Sequence, residues 1–270
     1  MIKRALVYGV LLAGALVFVY PFLWMLAATL KPETEIAGFG LWSPNFTLDS
    51  YRFVWRKIPL FRGLLNSLLV SFVITVSVVV LSAMAGYALS RLHFRGRELI
   101  FNLALVTMMI PAQLTLIPLY TMMVKFGWVN SYWALVVPAL VSSYAALLFR
   151  QFFQSIPQSL FEAARLDGCS DWRILFQIVF PLAKPAITTV ALLTFMGVWN
   201  DVLWPLMVIR EQSLMTLPQM VTLFAVGGQA EARLGAQLAA ATVLAVPVVI
   251  AYVFLQRQLI ESIASSGMKN

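Results

Sequence analysis

Cysteine and histidine are nearly missing: Cys169 and His93 are the only ones in 270 residues. One thiol cannot form an internal disulfide, and no Cys/His cluster has metal-ligand spacing. His93 sits in a short charged turn, where a lone histidine reads as a surface residue. Charge is scarce too, at 11% of residues against roughly 25% in a soluble domain. Apolar residues fill the gap at 61%, above the ~45–50% of soluble chains. That balance excludes an ordinary cytosolic domain and a disordered chain. The net charge of +8 does not make a polyanion binder, because the 19 Lys and Arg are spread thinly between apolar runs without interleaved aromatics. No Gly-x4-Gly-Lys-Ser/Thr loop is present, and Gly227-Gly228 is followed by no lysine. With no Ser–His–Asp set, no metal cluster and no cofactor fingerprint, an enzyme reading has no support. The alternating pattern of an outer-membrane barrel is absent as well.

What the sequence does have is long uncharged runs. A membrane-crossing helix needs about 20 apolar residues, because the hydrocarbon core is about 30 Å thick. Uncharged runs cover 5–30, 63–90, 99–124, 126–149 and 234–256, and a shorter one at 185–200 resumes after Asp201. The expected fold is therefore all-α and polytopic: a single transmembrane domain over 1–270 with six spans, about 6–30, 64–90, 99–124, 132–149, 185–208 and 236–256. The first run is too long for a cleaved signal peptide and reads as an uncleaved anchor. An even number of spans puts both termini on one face. Eleven Lys and Arg fall on that face and eight on the other, and Arg91, Arg95 and Arg97 crowd one short loop. The positive-inside rule makes both termini cytoplasmic.

Two loops carry their own structure. The outer stretch 31–62 begins irregularly around Pro32, Gly38, Gly40 and Pro44, then mixes aromatics and bases over 48–57. That part reads as a short amphipathic helix with Tyr51, Phe53 and Trp55 at headgroup level. The cytoplasmic stretch 150–184 reads as two short helices. Pro157 opens the first, Gly168 closes it, Ser170 and Asp171 start the second, and Pro181 and Pro185 stop it. Its apolar stripe must be buried either against the protein's own span ends or in a socket on a partner, and the residues leave both open.

Polar residues inside the spans are few. Asp201, beside Asn200 and flanked by Trp199 and Trp204, sits near the outer boundary. Amides, acids and aromatic faces suit a sugar, but an interfacial tryptophan belt with a helix-capping acid accounts for the same residues. Pro111, Pro118 and Pro138 break helix hydrogen bonds at membrane depth, and Gln113 and Thr115 beside the first of them line a pathway or serve as packing glue.

One motif goes further. Glu162-Ala163-Ala164, Gly168, Ile178 and Phe180-Pro181 match the pattern E-A-A-x3-G-x9-I-x-L-P in every spacing, with Phe180 standing where Leu is usual. This resembles the EAA loop of ABC importer permeases. Arg150-Gln151-Phe152-Phe153, Ile156-Pro157, Trp199-Asn200-Asp201, Trp204-Pro205, Asn66-Ser67, Gly86-Tyr87-Ala88 and Gln256-Arg257 are similar to the maltose-type carbohydrate branch of that family. The resemblance implies a permease subunit that moves a sugar or sugar-like solute across the bacterial or archaeal cytoplasmic (inner) membrane. It implies a second homologous permease, two ATPase subunits that hold the ATP and Mg, and an extracytoplasmic solute-binding protein that does most of the selecting. It assigns ATPase coupling to Glu162, Ala163, Ala164, Asp167, Gly168, Ile178 and Pro181, with the tail 262–270 also reaching the ATPases. Gln113, Trp199, Asn200 and Asp201 are the candidates for the substrate pathway. Glu162 alone has a local alternative, bonding to backbone donors at its own helix start. The rival classes are a stand-alone secondary transporter, which should show ionisable groups mid-span and inverted repeats, and a membrane assembly subunit without transport.

Overall fold

A computed structural model describes residues 2–38 and 40–267, with side chains for 6–38, 40–250, 252 and 253. Among the described residues every regular element is helical. In chain order they are α1 (Ile2–Thr29), α2 (Asp49–Lys57), α3 (Leu60–Arg91), α4 (Arg97–Met109), α5 (Ala112–Lys125), α6 (Tyr132–Val136), α7 (Ser143–Gln154), α8 (Gln158–Leu166), α9 (Asp171–Arg173), α10 (Phe180–Leu182), α11 (Lys184–Trp199), α12 (Leu203–Val208), α13 (Leu217–Val226) and α14 (Leu234–Gly267). The tail 262–270 lies outside the residues whose side chains are described.

Three stretches among the described residues are long and apolar enough to cross a membrane unaided: Leu6–Thr29, Leu60–Arg91 and Tyr132–Gln154. Two further pairs qualify only as bent spans, α4 with α5 at 103° and the 171–182 segment with α11 at 83°. The stretch expected as one span over 99–124 is a bent pair of helices, and the bend lies at Pro111, where a break in the helix was expected. Ile110 is pushed into the extended region (φ −83°, ψ 118°) by the ring of Pro111, which has no N–H to continue the ladder. Pro118 sits inside α5. The stretch expected over 185–208 is also divided: α11 ends at Trp199 and α12 starts at Leu203. Pro181 does not stop the second short helix of the 150–184 loop. A run of wide π-type turns at Ile174–Val179 leads into α10, with Pro181 in its first turn. The chain then turns at Ala183, and Pro185 opens α11.

The chain forms two compact units. One comprises 1–62 with 217–250. In it, Glu33 places its carboxylate at the start of α14 and accepts from the backbone N–H groups of Leu234 and Gly235, so an anion meets the positive helix end. Gly235 allows that approach, since a Cβ there would lie 2.6 Å from Ser50 Oγ and 2.7 Å from Ile36 Cδ1. α2 is not simply laid on the headgroups. Val54 and Ser50 are buried, Tyr51 OH bonds Thr29 Oγ1 at 2.9 Å, and Phe53 lies under Arg233 at 4.3 Å and beside Phe224. Trp55 alone of the three aromatics is exposed. Lys57 pairs with Glu231 at 2.7 Å. The strap over 31–47 is closed by its own polar groups: Lys31 donates to Gly40 O, and Glu35 accepts from Ser43 Oγ (2.5 Å) and Asn45 Nδ2 (2.9 Å).

The other unit comprises 63–216 with 251–270. Its core joins α3 (Val70, Ile74, Val78, Ala83, Tyr87), α7 (Phe149, Phe153), α8 (Phe161, Ala164) and the 174–190 stretch. In lipid the apolar surface of helices gains nothing by association, so close packing and interhelical hydrogen bonds must hold them. Gly86 provides the close approach. A Cβ at this position would sit 2.7 Å from Phe149 Cβ and 2.9 Å from Ala146 O and Arg150 N. One turn earlier Ser82 Oγ donates to Ser142 O at 3.3 Å, while Ser142 Oγ caps α7 by accepting from Ala145 N. Arg150 Nε reaches Leu89 O, and its guanidinium lies 3.8 Å from the Phe101 ring.

Two expectations follow. Gly86→Val forces α3 and α7 apart, where overpacking costs ~1–3 kcal/mol or more. The thermal midpoint of the detergent-solubilised protein should fall, while Gly197→Val, at a glycine with open space around it, should hold it. The bonds from Ser43 and then Asn45 keep the Glu35 carboxyl below its ordinary range, with a smaller pull from Lys31. A carboxyl with a lowered folded pKa stabilises above its unfolded pKa and loses that stabilisation as pH falls through the folded value. The 31–47 strap should therefore resist limited proteolysis at pH 7 and lose resistance only below the usual carboxylate range, whereas Glu35→Gln should be cut more readily at pH 7.

Candidate functional site

The 150–184 stretch forms an elbow built on the end of α7. Pro157, extended at ψ 136°, precedes α8, and its missing N–H costs nothing at a helix start. α8 is amphipathic: Phe161 and Ala164 are buried while Leu160, Glu162, Ala163, Arg165 and Leu166 are exposed. The helix ends in a six-residue closure. Cys169 N donates to Ala164 O and Gly168 N to Arg165 O, both at 3.0 Å, and Gly168 takes φ +77°. This is the Schellman end, and it needs a left-handed residue that glycine adopts without a Cβ penalty.

The elbow's underside is held by α3. Arg91, the last residue of α3, sends Nη1 to Gln158 Oε1 at 2.8 Å and Nη2 to the carbonyls of Phe153 and Ile156. Its guanidinium lies 4.1 Å from the Phe161 ring centroid. The Phe153 carbonyl belongs to the negative end of α7, where a cation is favoured, and Ile156 lies just past it. One turn back, Tyr87 is 3% exposed, with Phe153 and Phe161 about its ring. Its hydroxyl donates to Asp171 Oδ1 at 3.0 Å, which also accepts from Arg165 Nη2 at 3.2 Å.

Other parts of the elbow are open, and Trp172 borders a cavity that it shares with Tyr87 and Leu92. Leu166 is 90% exposed and Trp172 62%, and Trp172 stacks on the half-exposed Phe176 at 6.0 Å. Glu162, Asp167, Gly168 and Pro181 lie at the surface, and Ile178 is half-buried. Glu162 sits a turn too late to cap α8, whose start has Pro157 at the cap and no side-chain bond.

The second group of sequence candidates is not one site. Trp199 is fully buried and stacked on Phe195 at 5.7 Å. Asp201 caps α12, accepting from Leu203 N at 3.1 Å and Trp204 N at 3.4 Å. Trp204 Nε1 donates to Ala134 O at 2.8 Å, fixing α12 against α6. Asn200 is exposed and returns its amide to Met196 O, and Gln113 is exposed in the first turn of α5. Among the described residues no group of three or more His, Cys, Asp or Glu could hold a metal.

Sequence reasoning gave no structural role to three positions, of which Asn66 entered only through the family resemblance. Arg91 entered only as a charge in a count. Asn66 is buried and donates to Ser213 O and Met215 O, both at 2.9 Å, while accepting from Tyr132 OH at 2.8 Å. Asn130, at φ +62°, accepts from Arg210 N and Glu211 N and donates its own N–H to Val208 O. The only sequence signals were a basic residue four places after a tyrosine at a span end, and lone asparagines at run boundaries.

Residues 78–264 match the family model described as "Binding-protein-dependent transport system inner membrane component". The chain is 36% identical over 261 residues to the arabinooligosaccharides transport system permease protein AraQ of Halalkalibacterium halodurans, covering 94% of this chain and 92% of that one. It is 30% identical to the diacetylchitobiose uptake system permease protein NgcG of Streptomyces coelicolor, covering 98% and 89%. It is also 30% identical to the sn-glycerol-3-phosphate transport system permease protein UgpE of Escherichia coli, covering 96% and 95%. A chain in the crystal structure of a bacterial ABC transporter involved in the import of the acidic polysaccharide alginate superposes with a TM-score of 0.80 at 25% identity, covering 94% and 96%.

If the Asp201 carboxylate serves as a cap, asparagine should replace it. Asp201→Asn is expected to keep the wild-type thermal midpoint and solute uptake, and Asp201→Ala to lose about 1 kcal/mol of stability. Uptake abolished in the folded Asn variant would assign the carboxylate to solute instead.

Proposed function

The chain belongs to the binding-protein-dependent transport system inner membrane components, and on that premise we propose that its elbow, 157–181, is the part an ATPase subunit grips and moves. The protein is a permease subunit of a carbohydrate ABC importer, an inner-membrane component and not an enzyme. The observation that carries the proposal is the two-faced elbow, packed on one side and open on the other, with Leu166 the most exposed of its apolar residues. A short rigid helix presenting apolar residues beside acids suits insertion into a groove on a partner. Leu166 and Trp172 supply apolar contact, and Glu162 and Asp167 offer acceptors to the groove's rim.

The rest of the assembly follows the same reading. The chain spans the membrane six times as one permease domain, both termini lie on the cytoplasmic face with the elbow, and a second homologous permease stands beside it. Two ATPase subunits bind ATP and Mg below, and a binding protein delivers a sugar or sugar-like solute from outside. Closure of the ATPases displaces the elbow, and the elbow displaces the spans. Ile178 and Pro181 shape the elbow's second half. For solute contact, the exposed amides of Gln113 and Asn200 are better placed than Trp199, which is buried, or Asp201, which is engaged as a cap.

In a Cys169→Ser background, Leu166→Cys should crosslink to a cysteine in the groove of the ATPase subunit within the assembled complex. Gly168→Val strains a left-handed position and puts bulk on the open face. It is expected to lower uptake of the sugar carried by the cognate binding protein by ~10-fold or more, within the usual range of coupling free energies, while ATP hydrolysis persists. Normal uptake with no crosslink would remove the elbow from the coupling route.

A further inference from the structure

The open face of the elbow explains how a partner could hold it, but not how its displacement reaches the far side of the membrane. α3 is held by polar side chains at both ends. At one end Arg91 and Tyr87, four residues apart on one helix face, hold α8 at three places: its first residue through Gln158, its middle through Phe161, and its last turn through Asp171 and Arg165. At the other end Asn66 fastens the backbone of Ser213 and Met215. The two attachments lie 25 residues apart in one helix, roughly 37 Å at ~1.5 Å per residue.

We infer that Arg91 and Tyr87 are positioning residues for energy coupling, joining the elbow to α3 so that the two move as one body. The inference rests on the elbow being the ATPase contact. Chemistry favours these two side chains for the task. The guanidinium is a planar fork that stacks on Phe161 and holds an amide and two carbonyls at once, which a lysine cannot reproduce. The Tyr87 hydroxyl to Asp171 bond is charge-assisted, and its tyrosine end is buried among the rings of Phe153 and Phe161 while Asp171 stands at the surface. Packed elements of this kind shift as rigid pieces rather than bend. Elbow and span then share one displacement, and the loop at 213–215 moves with the far end of α3. By linkage, an event at either end biases the other.

The test uses the complete complex in lipid, with the cognate binding protein purified from the native host so that it carries its own sugar. The readout is the factor by which that binding protein stimulates ATP hydrolysis per assembled complex. Tyr87→Phe, Asp171→Asn and Arg91→Lys are each expected to lower this factor by ~5-fold or more, the lower end of usual coupling free energies. Tyr87→Phe combined with Asp171→Asn should do no more than either alone, since they remove one bond. The Leu166→Cys crosslink to the ATPase should persist in all of them. Unchanged stimulation in assembled Tyr87→Phe and Asp171→Asn complexes overturns the inference, and so does loss of assembly in every variant, which would mark these residues as folding residues only. Loss of the crosslink in the parent complex is a separate result, and it would overturn the elbow's role as the ATPase contact instead.

Discussion

α3 and α7 touch where α3 has no room for a side chain. At Gly86 the backbone of one helix meets the Phe149 Cβ and the Ala146 carbonyl of the other, at distances a methyl group could not share. Much else depends on that approach. It places Ser82 against Ser142, so that the capping serine of α7 also tethers α3. It carries the end of α7 under Tyr87 and Arg91, one turn further along, where the chain reverses into the elbow. In a bilayer, where burying apolar surface against another helix gains little over burying it in lipid, close contact and shared hydrogen bonds decide which helices associate.

The elbow combines local and tertiary causes. Its shape is local, with an extended proline before α8, a glycine in the left-handed region after it, and a wide π-type turn ahead of Pro181. Its attitude is tertiary. The Arg91 fork on the carbonyls of Phe153 and Ile156 fastens the chain just before the helix, and Phe161 and Ala164 join the core. The charged and aromatic groups of α3 select the face that carries Phe161 and Ala164 and leave Leu166 exposed. A transport subunit needs this division, because a surface offered to a moving partner is useful only if the opposite surface is fastened to the part that must move.

Polar residues near the ends of the apolar runs divide in the same way. Asp201 and Trp204, which suit a sugar by composition, are used to start α12 and hold it to Ala134. Asn66, which the sequence marks only through the family resemblance, and Asn130 organise the chain around 208–215. A side chain's chemistry states which bonds it can make, and its neighbours decide which ones it does make.

Read alone, the sequence determined the all-helical class, the apolar runs that carry the crossings, the helix–glycine–helix form of the elbow and the family the spacing resembles. These depend on composition and on signals within a few residues: hydropathy, a proline before a helix, a glycine after it, a motif of fixed length. Only the tertiary structure decided that α2 is packed through Tyr51 and Phe53, and that Arg91 is a clamp rather than one basic residue among many. Each of those rests on contacts between residues tens of positions apart, such as Arg91 with Gln158 and Gly86 with Phe149. Local pattern cannot encode them, because the same residue types would fit a free surface equally well until a second helix arrives.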